Sequence, residues 1–147
     1  MARGFTVTET IDKPAADVWA YLTDLNNHAS QWMDGVEDMI QLTPGDIKPG
    51  TGFSFHSRGR MHQTEVTSFS ESAAKNVIAL TSKQGSVTAT YVYTVAPNGE
   101  NQTHLQLDAT CECSGFLVLL SPLIAYMIKR ADSGQLANLK QAILQKG

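Results

Sequence analysis

Apolar and polar residues alternate along 5–11, FTVTETI, with Phe5, Val7 and Ile11 on one face and Thr6, Thr8 and Thr10 on the other. That pattern predicts a half-buried strand, with Glu9 as the odd residue on its apolar face. The period then changes. In DKPAADVWAYLTDL, Ala15, Val18, Trp19 and Leu22 recur at helical spacing, Asp12 is a candidate cap and Pro14 suits a first turn. Asp24, Asn26 and Asn27 end that helix, and HASQWM reads as a second short helical turn.

The middle of the chain returns to strands. VEDMIQL leads into TPGDIKPGTG, a loop rich in Pro and Gly. FSFHSRGRMHQTEVTSF fits two strands around Gly59 or one long bent ribbon, and NVIALTS follows. GSVTATYVYTV sets Val87, Ala89, Tyr91, Tyr93 and Val95 against Thr88, Thr90 and Thr94. After the turn PNGEN, THLQLDATCEC sets Leu105, Leu107, Ala109, Cys111 and Cys113 against His104, Gln106, Asp108, Thr110 and Glu112. Such one-sided strands belong to an antiparallel sheet with one face covered.

Beyond Cys113 the period becomes 3.6. Leu120, Ile124, Met127, Ile128, Ala131, Leu136, Leu139 and Ile143 trace a stripe, with Lys129, Arg130, Asp132, Asn138 and Lys140 largely outside it. Residues 116–128 are almost unbroken apolar sequence. A membrane span needs roughly 20 such residues, and this run is interrupted at Ser121-Pro122 and stopped at Lys129-Arg130. No membrane span is expected. Ser121 and Pro122 suit the first positions of a helix; the residues before them fit helix, or a hydrophobic flap. The fold class is therefore α+β: a strand, two short helices, about six strands and one long helix.

A chain of 147 residues fits a single domain over 1–147. Its net charge of −3 and lack of any basic run give no reason to expect nucleic acid as a partner. MARGFTVTE lacks the apolar core of a signal peptide, so the expected location is cytoplasmic. Cys111 and Cys113, two apart on one face of a strand, are poorly placed for a disulfide and read as buried thiols.

Candidate chemistry is sparse. His56 and His62 are symmetric about Gly59, so a tight hairpin there would set them side by side, although His56 alternates away from Phe53 and Phe55. No HExxH, nucleophile elbow, GxGxxG or P-loop is present, so neither a metal nor a cofactor is expected. Glu9 and Glu65 are the weak candidate carboxylates. Glu65 faces inward if Met61 and Gln63 do, and outward if Val66 is inside; a slip of one residue exchanges the two arrangements.

The order and spacing of four segments carry a resemblance over nearly the whole chain. They are PAADVWAYLTDLNNHASQW after the first strand, PGTGF and EVTSF in the sheet, and GFLVLLSPLIAYMIKRADSGQLANLKQAI at the end. On these the chain resembles the START-like superfamily, also called SRPBCC or helix-grip, and within it the polyketide cyclase/dehydrase and lipid-transport family. The resemblance implies a curved antiparallel sheet of about six or seven strands gripping the long C-terminal helix, with an apolar cavity between them. It implies no reaction, because that family holds cyclases, dehydratases and lipid carriers alike.

Such a cavity draws its lining from Phe53, Phe55, Tyr91, Tyr93, Leu107, Ala109 and Cys111 on the strands, with Trp32 and Met33 at its mouth. Phe116, Leu120, Ile124, Met127 and Ile128 complete it from the helix. Aromatic, Met and aliphatic side chains with few hydroxyls suit an apolar ligand. Tyr91 and Tyr93 are the expected orienting groups, since a buried phenol needs a partner. Three functions stay open at this point. The first is binding or transport of a small hydrophobic molecule (a lipid, polyketide or aromatic compound). The second is a cyclase or dehydratase using Tyr91, Tyr93, Glu9 or Glu65. The third is a homodimeric interaction module built on 116–123, so that monomer and homodimer both remain.

Overall fold

The computed structural model describes residues 2–25, 28, 32–33, 36–57, 59–72, 74–84, 87–113 and 134–146. Phe116, Leu120, Ile124, Met127 and Ile128 fall outside the described residues, as does the whole segment on which the interaction module rests.

The alternating segments form strands β1 (Ala2–Ile11), β2 (Glu37–Gln41), β3 (Gly52–Ser57), β4 (Arg60–Glu71), β5 (Asn76–Gln84), β6 (Val87–Pro97) and β7 (Thr103–Cys113). They join one antiparallel sheet in the order β1-β7-β6-β5-β4-β3-β2. Helix α1 (Ala15–Thr23) follows β1, and helix α2 (Gln135–Lys146) ends the chain. Leu25, His28 and Trp32 are also helical, in keeping with a second helical turn after α1.

Helix α1 starts differently from expectation. Its N-cap is Pro14, whose carbonyl accepts from Asp17 N and Val18 N, with no side-chain cap. Asp12 instead accepts a 2.8 Å bond from Gln102 Nε2, tying the end of β1 to the β6–β7 turn. The apolar stripe of α1 (Val18, Trp19, Tyr21 and Leu22) is buried, and α2 contributes Leu136, Leu139 and Ile143 to the same core. Both helices cover the sheet face carrying Ile11, Val66, Ile78, Leu80, Tyr93, Val95, Leu105 and Leu107.

Two local features set which side chains reach that inner face. At the β3–β4 hairpin, Ser57 pairs with Arg60 and Phe55 with His62. The turn is thus centred between residues 58 and 59, with Gly59 at φ 77° supplying the left-handed backbone of a two-residue loop. His56 consequently opposes Met61, and His62 opposes Phe55. The two histidines are on opposite faces. Further along β4, the register shifts between Val66 and Ser68 against β5. This bulge returns Phe69 and Glu71 to the inner face, where Trp19 lies 5.6 Å from the Phe69 ring and donates a 2.7 Å bond to Glu71 Oε2.

The same register decides which way Glu65 faces. Val66 is fully buried, whereas Glu65 is exposed beside exposed Gln63 and Met61. Glu65 faces away from the core, so it has no access to anything held on the inner face.

Candidate functional site

Ladder pairing divides the inner face into two halves. In one, Ile78, Tyr93, Leu107 and Val7 stand in line across β5, β6, β7 and β1, followed by Val95, Leu105 and Glu9. Large side chains meet both helices here, and Ile78, Tyr93, Val95, Leu105 and Leu107 are buried to 1% exposure or less. In the other half, Leu80, Tyr91, Ala109 and Phe5 form one row, and Ser82, Ala89 and Cys111 the next. Here the central side chains are small. Around them Phe5, Phe55 and Tyr91 pack against the core yet stay only half-buried, as do Ala89 and His62. The small residues at the centre are themselves covered, Ala109 at 2% and Cys111 at 3% exposure, while the aromatic ones around them are only half-buried.

Among the described residues, polar groups on this face are few, and most are engaged. The Tyr93 hydroxyl donates a 2.5 Å hydrogen bond to Gln135 Oε1, both residues being buried. Gln135 opens α2 and shares its buried stripe with Leu139 and Ile143. A polar residue four before Leu139 on an apolar stripe was the available sequence signal for this pair, which reasoning from β6 alone missed. Removing the hydroxyl in Tyr93→Phe leaves the Gln135 amide buried with one partner fewer. The expected loss is about 1–3 kcal/mol of unfolding free energy, read by urea denaturation.

Glu9 lies on the inner face of β1, half-buried. Its Oε1 accepts from Lys140 Nζ at 3.2 Å and from Thr10 N at 3.1 Å. Lys140 therefore turns toward the sheet rather than lying outside the helical stripe, and Glu9 joins β1 to α2. With side-chain exposures of 27% and 36%, such a pair contributes about 0–1 kcal/mol. It is a positional tie between β1 and α2.

Trp32, expected at the mouth of a pocket, is 1% exposed and belongs to the core cluster. Its ring meets that of Tyr93 edge-on at 5.5 Å and 90°. Its indole Nε1 is buried and has no hydrogen-bond partner among the described residues, in contrast to Trp19, whose Nε1 bonds Glu71. Met33 is likewise buried. Phe53 is 1% exposed and belongs to the same cluster. Cys111 is buried as a thiol outside any disulfide, and Phe55 stacks on the His62 ring at 5.4 Å.

A second cluster lies by α1. His28 stacks on Tyr21 with ring centroids 4.0 Å apart, and its Nε2 is 3.5 Å from Asp24 Oδ2. Burial raises the Tyr21 phenol above its usual pKa, which keeps it protonated near neutral pH. His56, on the outer face, is 3.7 Å from Asp38, and its side chain is 43% exposed. Among the described residues no group of three His, Cys, Asp or Glu side chains is arranged to hold a metal ion, and no helix is long and apolar enough to cross a membrane.

A family model described as polyketide cyclase / dehydrase and lipid transport matches residues 2–143. No curated protein sequence matches the chain. Among solved structures, the Zhui aromatase/cyclase from a Streptomyces species superposes with a TM-score of 0.76 at 16% identity, over 99% of this chain and 96% of that one. A Thermus thermophilus protein gives a TM-score of 0.74 at 17% identity, over 99% of both chains. Norcoclaurine synthase from Thalictrum flavum, in complex with a transition state analogue, gives 0.71 at 13% identity, over 99% of this chain and 96% of that one. At such identities the likeness is one of fold: the helix-grip arrangement of a curved antiparallel sheet and a C-terminal helix.

Proposed function

We propose, for a chain that belongs to the polyketide cyclase / dehydrase and lipid transport family, that it binds a small hydrophobic molecule against the open half of its inner face. One observation carries this reading. Phe5, Phe55, Tyr91 and Ala89 point to the covered side of the sheet yet are only half-buried, around the small side chains of Ser82, Ala109 and Cys111. Apolar surface left uncovered there forgoes about 25 cal/mol per Å² that packing would supply. A ligand recovers it.

The reading is also supported by where the candidate acid–base groups lie. Glu65 faces outward, Glu9 is tied to Lys140, and the Tyr93 hydroxyl is bonded to Gln135. Binding or carriage is thus favoured over catalysis. The test is fluorescence titration with 1-anilinonaphthalene-8-sulfonate followed by displacement. The expected result is saturable one-to-one binding, reversed by a long-chain fatty acid or a bicyclic aromatic ketone. Absence of any saturable site for all three probes contradicts it.

A cyclase- or dehydratase-type reaction is the second reading, favoured by Tyr91 and His62, which sit half-buried on the open half. A phenol and an imidazole there would move protons on a bound poly-β-ketone. Undiminished turnover of such a substrate by Tyr91→Phe and His62→Gln would remove it.

A further inference from the structure

The turn between β6 and β7 carries a chemistry that the binding face does not use. Its sequence, NGENQ, holds the chain's single Asn-Gly pair, Asn98-Gly99. Both residues are exposed, and a 2.8 Å bond from Asn98 N to Gln102 O closes the turn. Gly99 has φ 88°, a conformation that other residues rarely adopt. Its N–H makes no backbone hydrogen bond among the described residues. The nitrogen that follows Asn98 is therefore open to solvent, and no Cβ hinders its approach to the Asn98 carboxamide.

The other described asparagines are placed differently. Asn76 pairs in the β5–β6 ladder and precedes the branched Val77, and Asn138 lies within α2 with its N–H bonded to Gly134 O. Asn101 precedes Gln102, whose side-chain amide is held at both ends.

We propose that Asn98 is a site of spontaneous deamidation, and that its conversion breaks the hydrogen-bond relay by which this turn holds the end of β1. The Gly99 nitrogen gives its proton to hydroxide and attacks Asn98 Cγ. The Cγ–Nδ2 bond breaks, and Nδ2 leaves as ammonia. Water then opens the succinimide at either carbonyl, giving aspartate or, with the main chain rerouted through the side chain, isoaspartate. Carboxamide and water become carboxylate and ammonium, and nothing is oxidised.

The consequence for the relay follows from its donors. Asn98 Nδ2 donates to Gln102 Oε1 at 2.6 Å, and Gln102 Nε2 donates to Asp12 Oδ1 at 2.8 Å. An amide donates at one end and accepts at the other, whereas a carboxylate only accepts. With a carboxylate at position 98, Gln102 stands between two acceptors. Either its Oε1 faces a negative oxygen, or the amide turns and presents Oε1 to Asp12. One link is lost in both cases. Thr103 Oγ1 still donates to Lys13 O at 2.7 Å, so the change stays local to the turn.

The experiment holds the protein in mildly alkaline buffer and follows it by ion-exchange chromatography, tandem mass spectrometry of its peptides and proton–nitrogen NMR. Conversion is expected at Asn98 ahead of Asn76, Asn101 and Asn138, with one added negative charge and isoaspartate among the products. Asn98→Gln should give no such charge variant over the same interval. The Gln102 side-chain amide signals should shift as product forms, and Asn98→Asp should reproduce the shift of the aspartate product. Gln106, whose Nε2 donates to Asp108 Oδ2 at 2.7 Å, is the internal control and should stay in place. If Asn98 stays intact in the folded protein while urea-unfolded protein converts, the turn protects it and the proposal is overturned. Conversion that leaves the Gln102 signals unmoved overturns the relay and leaves the modification site standing.

Discussion

Leu107→Ala is expected to lower the unfolding free energy by about 2–5 kcal/mol, the cost of a cavity in a packed core. Leu107 is fully buried and stands in register between Val7 on β1 and Tyr93 on β6. It sits at the centre of the half of the sheet that both helices cover. Neighbours on three strands and two helices are held by their own contacts, so little collapse into the vacated volume is available. Urea unfolding followed by circular dichroism measures the loss. A change below about 1 kcal/mol would mean that this row is not packed as described.

Ala89→Phe is expected to do the opposite: leave stability within about 1 kcal/mol and weaken ligand binding at least tenfold. In a filled core, inserting a ring at an alanine costs about 1–3 kcal/mol or more through strain. Ala89, however, pairs with Ser82 and Cys111 in the row of small side chains, and it is only half-buried. A phenyl ring there occupies the space assigned to the ligand and buries its own apolar surface. Denaturation and 1-anilinonaphthalene-8-sulfonate titration of one sample read both effects. Destabilisation without loss of binding would place the ligand elsewhere. The pair of substitutions thus separates the packed half of the sheet from the open half.

Much of this division was legible in the sequence. Strict alternation in β6 and β7 assigned Tyr91, Tyr93, Leu107, Ala109 and Cys111 to one face, because the two-residue period of a strand leaves no other arrangement once one face is buried. The family was legible too, from the order of its segments. What alternation does not carry is an offset. The β3–β4 turn is centred half a residue from Gly59, which separates His56 from His62, and the bulge after Val66 reverses the faces of the rest of β4. Both depend on backbone conformation at one or two residues, and no hydrophobic count registers them.

Pairings between distant elements were hidden for a different reason. Tyr93 with Gln135 and Glu9 with Lys140 join residues 42 and 131 positions apart. Sequence identifies that a buried phenol or carboxylate needs a partner, but the packing of α2 on the sheet decides which residue answers. Trp32 is the sharpest case. It was expected at a pocket mouth, and the packing of the helical turn against β6 sets its ring edge-on to Tyr93 inside the core cluster.

The central claim, that the open half of the inner face takes up an apolar ligand, is tested most directly by a crystal structure of the protein grown with 2-acetylnaphthalene. The predicted result is density for the bicyclic ring against Phe5, Tyr91 and Ala89. A sheet whose inner face is closed over those residues by protein side chains, with the ligand absent or only on the outer surface, would contradict it.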